Sequence, residues 1–240
     1  CIIVLIFLIG LALLLYPTLS DYVNSRNQTR AITEYDDKVS KLEKEQYEEI
    51  LQKARTYNEK LASHETNWKL SNEELDEYNQ ILNIDNNGMM GYIEIPKLQS
   101  TLPIYHGTDE GTLQRNIGHL SGSSVPVGGE STHSVLSGHR GLPSAKLFSD
   151  LDKLTEGDQF VLRVLNETLT YEVVVEKDIS RDEEHRANDK ELNGILKNYL
   201  KYEGGSMSLE EWTEDSLRRI NHLRQQDENN EIYLLAHAHI

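Results

Sequence analysis

The feature that most constrains the fold is a change in the residue pattern at Gly88. From there, short apolar and β-branched runs alternate with turn-forming Gly and Pro; the runs are GMMGYIEIPKL, TLPIYHGT, STHSVLSGHRG, GDQFVLRVL and LTYEVVVEKDI. Runs of about five residues bounded by turn formers predict β-strands. Because no long helix separates them, they predict a closed or sandwich-like antiparallel core. We therefore expect a mainly β domain with α additions over residues 88–240.

The first sixteen residues, CIIVLIFLIGLALLLY, form an uncharged apolar segment that ends just before Pro17. As a helix, the segment would span roughly 24 Å, a little less than the ~30 Å hydrocarbon layer of a membrane. No small-x-small cleavage pattern follows it. We expect a retained membrane anchor at residues 1–19, and a cleaved signal peptide is the alternative.

Residues 20–87 are predicted to be a helical stalk with a possible lid. Between Asn27 and Ala62, apolar residues recur at steps of three or four without Gly or Pro, which predicts one long helix. Its apolar stripe suits either packing on the β domain or self-association. Ser71 followed by Glu74 predicts a capping box at the start of a further short helix.

Charge and cysteine content exclude several classes of function. The chain has 24 Lys and Arg against 40 Asp and Glu, a formal net charge of −16. This charge repels phosphate, so we expect no nucleic-acid binding and no general affinity for anionic lipid. The one cysteine, Cys1, excludes an intrachain disulfide and cysteine-based zinc sites, and it offers no thiol to a soluble active site.

Several segments resemble one protein family. MGYIEIPKL, PIYHGT, GHLSGSSVPVGGESTHSVLSGHRGLPSAKLF and DLDKLTEGDQF are similar to the first strands of sortases, specifically the class C, pilin-polymerising sortases. The resemblance runs from about Asn83 to Val175. It implies a sortase-type β-barrel on the outside of a Gram-positive cell membrane, held by a single amino-terminal anchor. It also implies a cysteine transpeptidase without a cofactor, which joins pilin sorting-signal peptides to a pilin Lys amine.

That chemistry needs a Cys thiolate to attack the threonyl carbonyl, a His to handle the proton and an Arg to stabilise the oxyanion. By its SGHRG motif, the resemblance assigns the catalytic His to His139. We interpret His106, His119 and His133 as structural. Because neither HxxxH nor HxH occurs among these histidines, we expect no metal site.

The two other catalytic groups of the family have no counterpart in the sequence. No TLxTC motif and no following Arg strand occur, and a charged stretch predicts a helical insertion at about 180–225 instead. The last run, NEIYLLAHAHI, is strand-like and can be aligned in two ways. Ala238 then stands at the Cys position, or Tyr233 stands at the Arg position. We interpret His237 and His239 in this run as incidental strand residues.

The family also carries a lid before the first barrel strand, usually with an Asp-Pro-aromatic motif. Here Thr66, Asn67 and Trp68 occupy that place, so the aromatic alone is retained and Trp68 is the lid candidate. The alternative is that Trp68 packs the stalk onto the barrel.

Three functions follow from these observations. The first is a class C sortase whose catalytic strands are missing or altered, so that this chain is inactive. The second is a non-catalytic sortase-like scaffold that binds pilins or a true sortase. The third is a hydrolase that uses Ser137 with His139. We disfavour it because we expect these two side chains on opposite faces of a strand.

Overall fold

A computed structural model of the chain describes residues 2–63, 70–129 and 132–174, together with the backbone of residues 199–202 and 231–238. The helices are α1 (Ile2–Val39), α2 (Lys44–Ser63), α3 (Asn72–Gln80) and α4 (Glu110–Leu113). The strands are β1 (Met89–Ile95), β2 (Ser100–His106), β3 (Ile117–His119), β4 (Thr132–His139), β5 (Gln159–Val164), β6 (Glu167–Val174), β7 (Tyr199–Tyr202) and β8 (Glu231–Ala238).

The eight strands form a closed barrel in the order β1-β2-β3-β4-β8-β7-β6-β5. This confirms the mainly β prediction with preceding helices. The prediction of a wholly antiparallel core is wrong, since β2 pairs with β3 and β7 pairs with β8 in parallel. A parallel neighbour requires the chain to cross back, and α4 lies in the crossover between β2 and β3. Within the predicted helical insertion at about 180–225, the structure describes residues 199–202, and these form β7 between β6 and β8 instead of a helix. The rest of the predicted insertion lies outside the described residues.

The amino-terminal half of the structure contains two long helices where the sequence predicted one from Asn27 to Ala62. Helix α1 ends at Val39 and α2 begins at Lys44. A single helix over 27–62 would be about 54 Å long, twice the length of an eight-residue strand at about 3.3 Å per residue. The break therefore lets both halves of the apolar stripe reach the barrel.

The apolar stripe packs on the barrel, which answers the question that the sequence left open. Four of its members are buried and belong to the barrel's own hydrophobic cluster: Tyr35, Val39, Ala54 and Tyr57. Leu51, beside the stripe, is buried in the same cluster. The capping box is also confirmed, because the Ser71 hydroxyl accepts from the Glu74 amide and the Glu74 carboxylate accepts from the Ser71 amide.

Two buried polar side chains fix the helices to particular strands and loops. The Tyr35 hydroxyl donates to the Met90 carbonyl (2.9 Å) and accepts from the Leu165 amide (2.8 Å). On α2, the Asn58 amide donates to the Val125 carbonyl (3.0 Å) and accepts from the Val125 amide (2.8 Å). Each side chain thus satisfies backbone groups that no strand neighbour satisfies.

We expect Tyr35→Phe to lower the free energy of unfolding by about 1–3 kcal/mol, because it leaves the Leu165 amide and a share of the Met90 carbonyl unpaired in a buried position. Urea unfolding of the full chain in detergent micelles measures this. The matched control is Tyr22→Phe, whose side chain is 62% exposed and should lose almost nothing. Equal stability of the two variants would contradict the role of the hydroxyl.

Candidate functional site

His139 is the last residue of β4, a strand buried along its whole length between β3 and β8. The residue is 8% exposed. Just before it, Gly138 provides close packing, since a Cβ there would lie 2.6 Å from Ile117 Cδ1 and 2.7 Å from Phe148 Cδ2. The close approach at Gly138 is therefore to core side chains. This packing sets the end of β4 and with it the position of His139.

The loop that follows His139 returns to the same point. The Phe148 amide donates to the His139 carbonyl (3.3 Å), which closes the loop over residues 140–147. Gly141 begins the turn with φ +77°, and nothing lies within 4 Å of a Cβ built on it. At the outer side of the loop, the Lys146 amide donates to Asp21 Oδ1 (2.9 Å). Helix α1 therefore contacts the loop that has His139 at its base.

The strand beside β4 is β8, and its register bears on both alignments of the last run. His139 pairs with Glu231, Ser137 pairs with Tyr233, and Thr132 pairs with Ala238. Because the strands are antiparallel, Ala238 lies opposite the far end of β4 from His139. The register thus brings Tyr233, and not Ala238, close to His139 along the backbone.

Ser137 shares a face of β4 with His139. Our expectation that the two side chains lie on opposite faces is wrong, because Gly138 stands between them and strand residues two apart point the same way. Ser137 is nevertheless fully buried, with 0% of its surface exposed. A peptide bond cannot reach a hydroxyl in that position, so burial argues against the hydrolase hypothesis.

His119 lies in a buried hydrogen-bonded network that joins α3 to β3. One ring nitrogen, Nδ1, lies 2.9 Å from the Tyr78 hydroxyl, and Nε2 lies 2.8 Å from the Ser124 carbonyl. The same hydroxyl accepts from the Gly107 amide (3.1 Å). Complete burial lowers the pKa of His119 to about 3, so the ring is neutral near pH 7. These contacts agree with the structural role predicted for this histidine.

His106 holds the end of α3 against the start of β1. Its Nδ1 lies 2.9 Å from the Gly88 carbonyl and its Nε2 lies 2.8 Å from the Ile81 carbonyl. Burial lowers its pKa, while the two carbonyls oppose that shift. The ring also meets Tyr78 edge to face at 4.9 Å. This geometry too agrees with the predicted structural role.

We expect acidification to destabilise the protein through His119. In the unfolded chain a histidine binds a proton below about pH 6.5, whereas folded His119 stays neutral until about pH 3. Its contribution is therefore complete above pH 6.5 and is lost as the pH falls toward 3, by up to about 1.4 kcal/mol per pH unit. His106 acts in the same direction.

Urea unfolding from pH 7.5 to 4, on the natural chain and on His119→Gln, isolates this contribution. The variant should be less stable at pH 7 and should lose stability less steeply on acidification. Parallel curves would show that His119 does not carry the proton linkage.

Of the other residues singled out in the sequence, some lie outside the described residues and one lies in the sheet. Trp68, the lid candidate, lies outside the described residues, as does His239. His133 is 7% exposed and pairs across the sheet with His237. In the part of the chain that the structure describes, no three His, Cys, Asp or Glu side chains lie close enough to hold a metal ion.

Sequence reasoning missed the side-chain hydrogen bonds that join α1–α3 to the barrel. Tyr35, Asn58 and Tyr78 bond to backbone groups 55, 67 and 29 residues away or more. A capping box is visible in the sequence because its partners are three residues apart, but these contacts leave no local pattern.

Comparison with known proteins gives a consistent result. Residues 93–200 match the family model described as the sortase domain. Among curated proteins, sortase D of Bacillus subtilis (strain 168) is 38% identical over 93 residues, which are 39% of this chain and 44% of that protein. The matched part thus spans less than half the length of that relative.

Solved structures of sortase C proteins match over more of their length. Sortase C1 from Streptococcus agalactiae is 50% identical with a TM-score of 0.59, and the match covers 64% of this chain and 82% of that one. Sortase C from Streptococcus pneumoniae is 40% identical with a TM-score of 0.51, covering 60% and 73%. Sortase C from Clostridium perfringens, solved with its C-terminal cell wall sorting motif, is 38% identical with a TM-score of 0.53, covering 66% and 81%. The chain therefore belongs to the sortase family.

Proposed function

We propose that this chain is a membrane-anchored class C sortase head that recognises pilin sorting-signal peptides at the surface of a Gram-positive cell. The observation that carries the proposal is the position of His139 at the end of a buried strand. It is supported by the 50% identity to a sortase C1 over the 64% of this chain that the two proteins share. The Clostridium relative was solved with a cell wall sorting motif, which supports a peptide of that class as the ligand.

The proposal includes the membrane anchor. Among the described residues, one helix is long and apolar enough to span a membrane, and it is Ile2–Val39. Large apolar side chains near its start are exposed, such as Ile3 at 83% and Phe7 at 65%. Apolar side chains left in water at that density favour insertion into lipid.

We further propose that residues 1–240 bind the peptide without acyl transfer. A thioacyl intermediate requires a thiol, and the one cysteine in this sequence is Cys1, beside the apolar start of α1. The strand next to β4 supports the same conclusion, because it presents Glu231 and Tyr233 in register with His139 and Ser137, where neither a Cys nor an Arg stands. This observation favours a non-catalytic scaffold that binds pilins as the second candidate function.

Binding of a fluorescent sorting-signal peptide to the full chain, reconstituted in lipid nanodiscs, tests the proposal by fluorescence anisotropy. We expect saturable binding that His139→Ala weakens about tenfold, the size of a loss at a central contact residue. Asn166→Ala, an exposed residue in the β5–β6 turn, is the control and should bind normally. Absence of binding would overturn the proposal. Equal affinity of the natural chain and the two variants would show that His139 does not contact the peptide.

A further inference from the structure

Helix α1 is continuous from the apolar segment to the barrel. Its contacts with the barrel therefore determine how the barrel is oriented relative to a membrane that holds the apolar segment. The helix has 38 residues and passes through Pro17 without ending. Exposed apolar side chains continue past the proline, with Leu19 64%, Tyr22 62% and Val23 49% exposed. Aromatic residues such as Tyr22 favour the membrane interface. The hydrocarbon boundary thus falls just before the first charged residue of the chain, Asp21.

The barrel meets α1 immediately after that boundary. Asp21 accepts from the Lys146 amide in the loop after His139. One and two turns further on, the side-chain amides of Asn24 (3.1 Å) and Gln28 (2.6 Å) both donate to the Arg115 carbonyl, which lies just before β3. These contacts hold the His139 end of the barrel against the first turns of α1 outside the apolar segment.

The opposite end of the barrel contacts α1 much later in the helix. Tyr35 bonds to the Leu165 amide at the β5–β6 turn. At 1.5 Å per residue, Tyr35 lies about 21 Å beyond Asp21 along the helix axis. The barrel therefore lies alongside α1 with its His139 end toward the apolar segment and its β5–β6 turn away from it.

We propose that the His139 end of the barrel rests against the phospholipid headgroups of the membrane that holds α1, with Arg115 and Lys146 directed at their phosphates. The hydrocarbon boundary lies just before Asp21, and the headgroup layer is roughly 5–7 Å thick. Because the Lys146 amide bonds to Asp21, the loop over residues 140–147 then lies within that layer.

Two exposed cationic side chains at this end fit the proposed contact. Arg115 and Lys146 are both exposed, whereas Arg140 in the same loop is paired with Asp152 at 2.9 Å. The chain as a whole carries a formal net charge of −16, and exposed acidic residues such as Glu156 also lie at this end, so the protein would not bind an anionic surface from solution. Anchoring by α1 removes that barrier, because it places Arg115 and Lys146 within reach of the phosphates.

A consequence concerns the substrate. If the mouth of the His139 site faces the bilayer, peptides tethered to the same membrane meet it at a high effective concentration, whereas free peptides must enter beside the headgroups. This inference rests on the proposed membrane anchor and adds the direction from which substrate arrives.

Depth-dependent fluorescence quenching of the full chain in vesicles tests the inference. In a Cys1→Ser background, single cysteines at Ser144→Cys (loop), Asn166→Cys (far turn) and Leu13→Cys (anchor) carry a small fluorophore. The vesicles are phosphatidylcholine with about one-fifth phosphatidylglycerol, and they contain nitroxide lipids labelled on either the headgroup or the acyl chain. We expect headgroup nitroxide to quench the label at 144 at least twofold more than the label at 166, and acyl-chain nitroxide to quench the label at 13.

The outcomes separate the two proposals. A label at 13 that escapes acyl-chain quenching would overturn the anchor and this inference with it. A quenched label at 13 with equal headgroup quenching at 144 and 166 would overturn this inference alone. Lys146→Glu should reduce quenching at 144, whereas Lys53→Glu on α2, with the same charge change, should not; equal effects would remove Lys146 as a phosphate contact.

Discussion

Replacing Gly118 by Ala should destabilise the barrel by at least about 3 kcal/mol, at the upper end of what one added methyl group does. Gly118 is the middle residue of β3, paired with Tyr105 on one side and Ser137 on the other. A Cβ there would overlap the Gly107 carbonyl oxygen. Since that atom is backbone in a tight turn with φ +75°, it cannot rotate away as a side chain would.

Because a domain is stable by about 5–15 kcal/mol, a loss of this size should be visible in urea unfolding of the full chain in micelles and in the yield of folded protein. Gly157→Ala is the matched control: nothing lies within 4 Å of its Cβ, and its φ of +86° should cost only about 1–2 kcal/mol. Similar losses in the two variants would show that the contact with Gly107 does not limit packing around β3.

Most strands could be predicted because the sequence pattern that marks a strand lies within the strand and its flanking turns. Short apolar runs bounded by turn-forming residues identified β1, β2, β4, β5 and β6, and the strand-like last run identified β8. Strand β3 has three residues and β7 has four, too few for a period of two to be recognised. The parallel pairing of β2 with β3 depends on a short crossover through α4, which the composition of the segment does not indicate.

For the helices, the sequence predicts the buried face but not its partner. Periodicity predicted the stripe that includes Tyr35 and Tyr57, but an amphipathic face indicates only that it is buried and not which element covers it. The break after Val39 has no Gly or Pro to mark it. The break arises because it lets both halves contact the barrel. These contacts are long-range, so the sequence of the helical segment alone does not predict them.

At the site, the motif around His139 could be recognised from the sequence, while its surroundings could not. The loop contact between Lys146 and Asp21 joins residues 125 positions apart. The pairing of β4 with β8 is likewise long-range. It is this pairing that places Tyr233, and not Ala238, near His139.

The largest functional effect that we expect is the complete absence of transpeptidation by residues 1–240. This expectation rests on the sequence of residues 1–240, in which Cys1 is the one cysteine and no TLxTC motif occurs. Removal of a single oxyanion donor typically costs on the order of 100- to 1000-fold in rate. A restored thiol should therefore not restore activity.

Ala238→Cys makes this expectation specific. Ala238 pairs with Thr132, whereas His139 is seven residues further along β4, a separation of about 23 Å at 3.3 Å per residue. General acid–base catalysis requires hydrogen-bond reach, so we expect at most trace cleavage of a sorting-signal peptide by this variant. Cleavage far above that of the natural chain would show that residue 238 stands beside His139, against the register of β8.

The most direct measurement incubates the natural full chain in nanodiscs with a sorting-signal peptide and an amine acceptor, and follows acyl transfer by mass spectrometry. An active sortase C serves as the positive control, and anisotropy on the same sample confirms that the peptide is bound. We predict bound peptide with no transfer product above the protein-free control. Robust turnover by the unmodified chain would contradict the account and would require a nucleophile other than a cysteine, with Ser137 and Ser121 the first to replace by Ala.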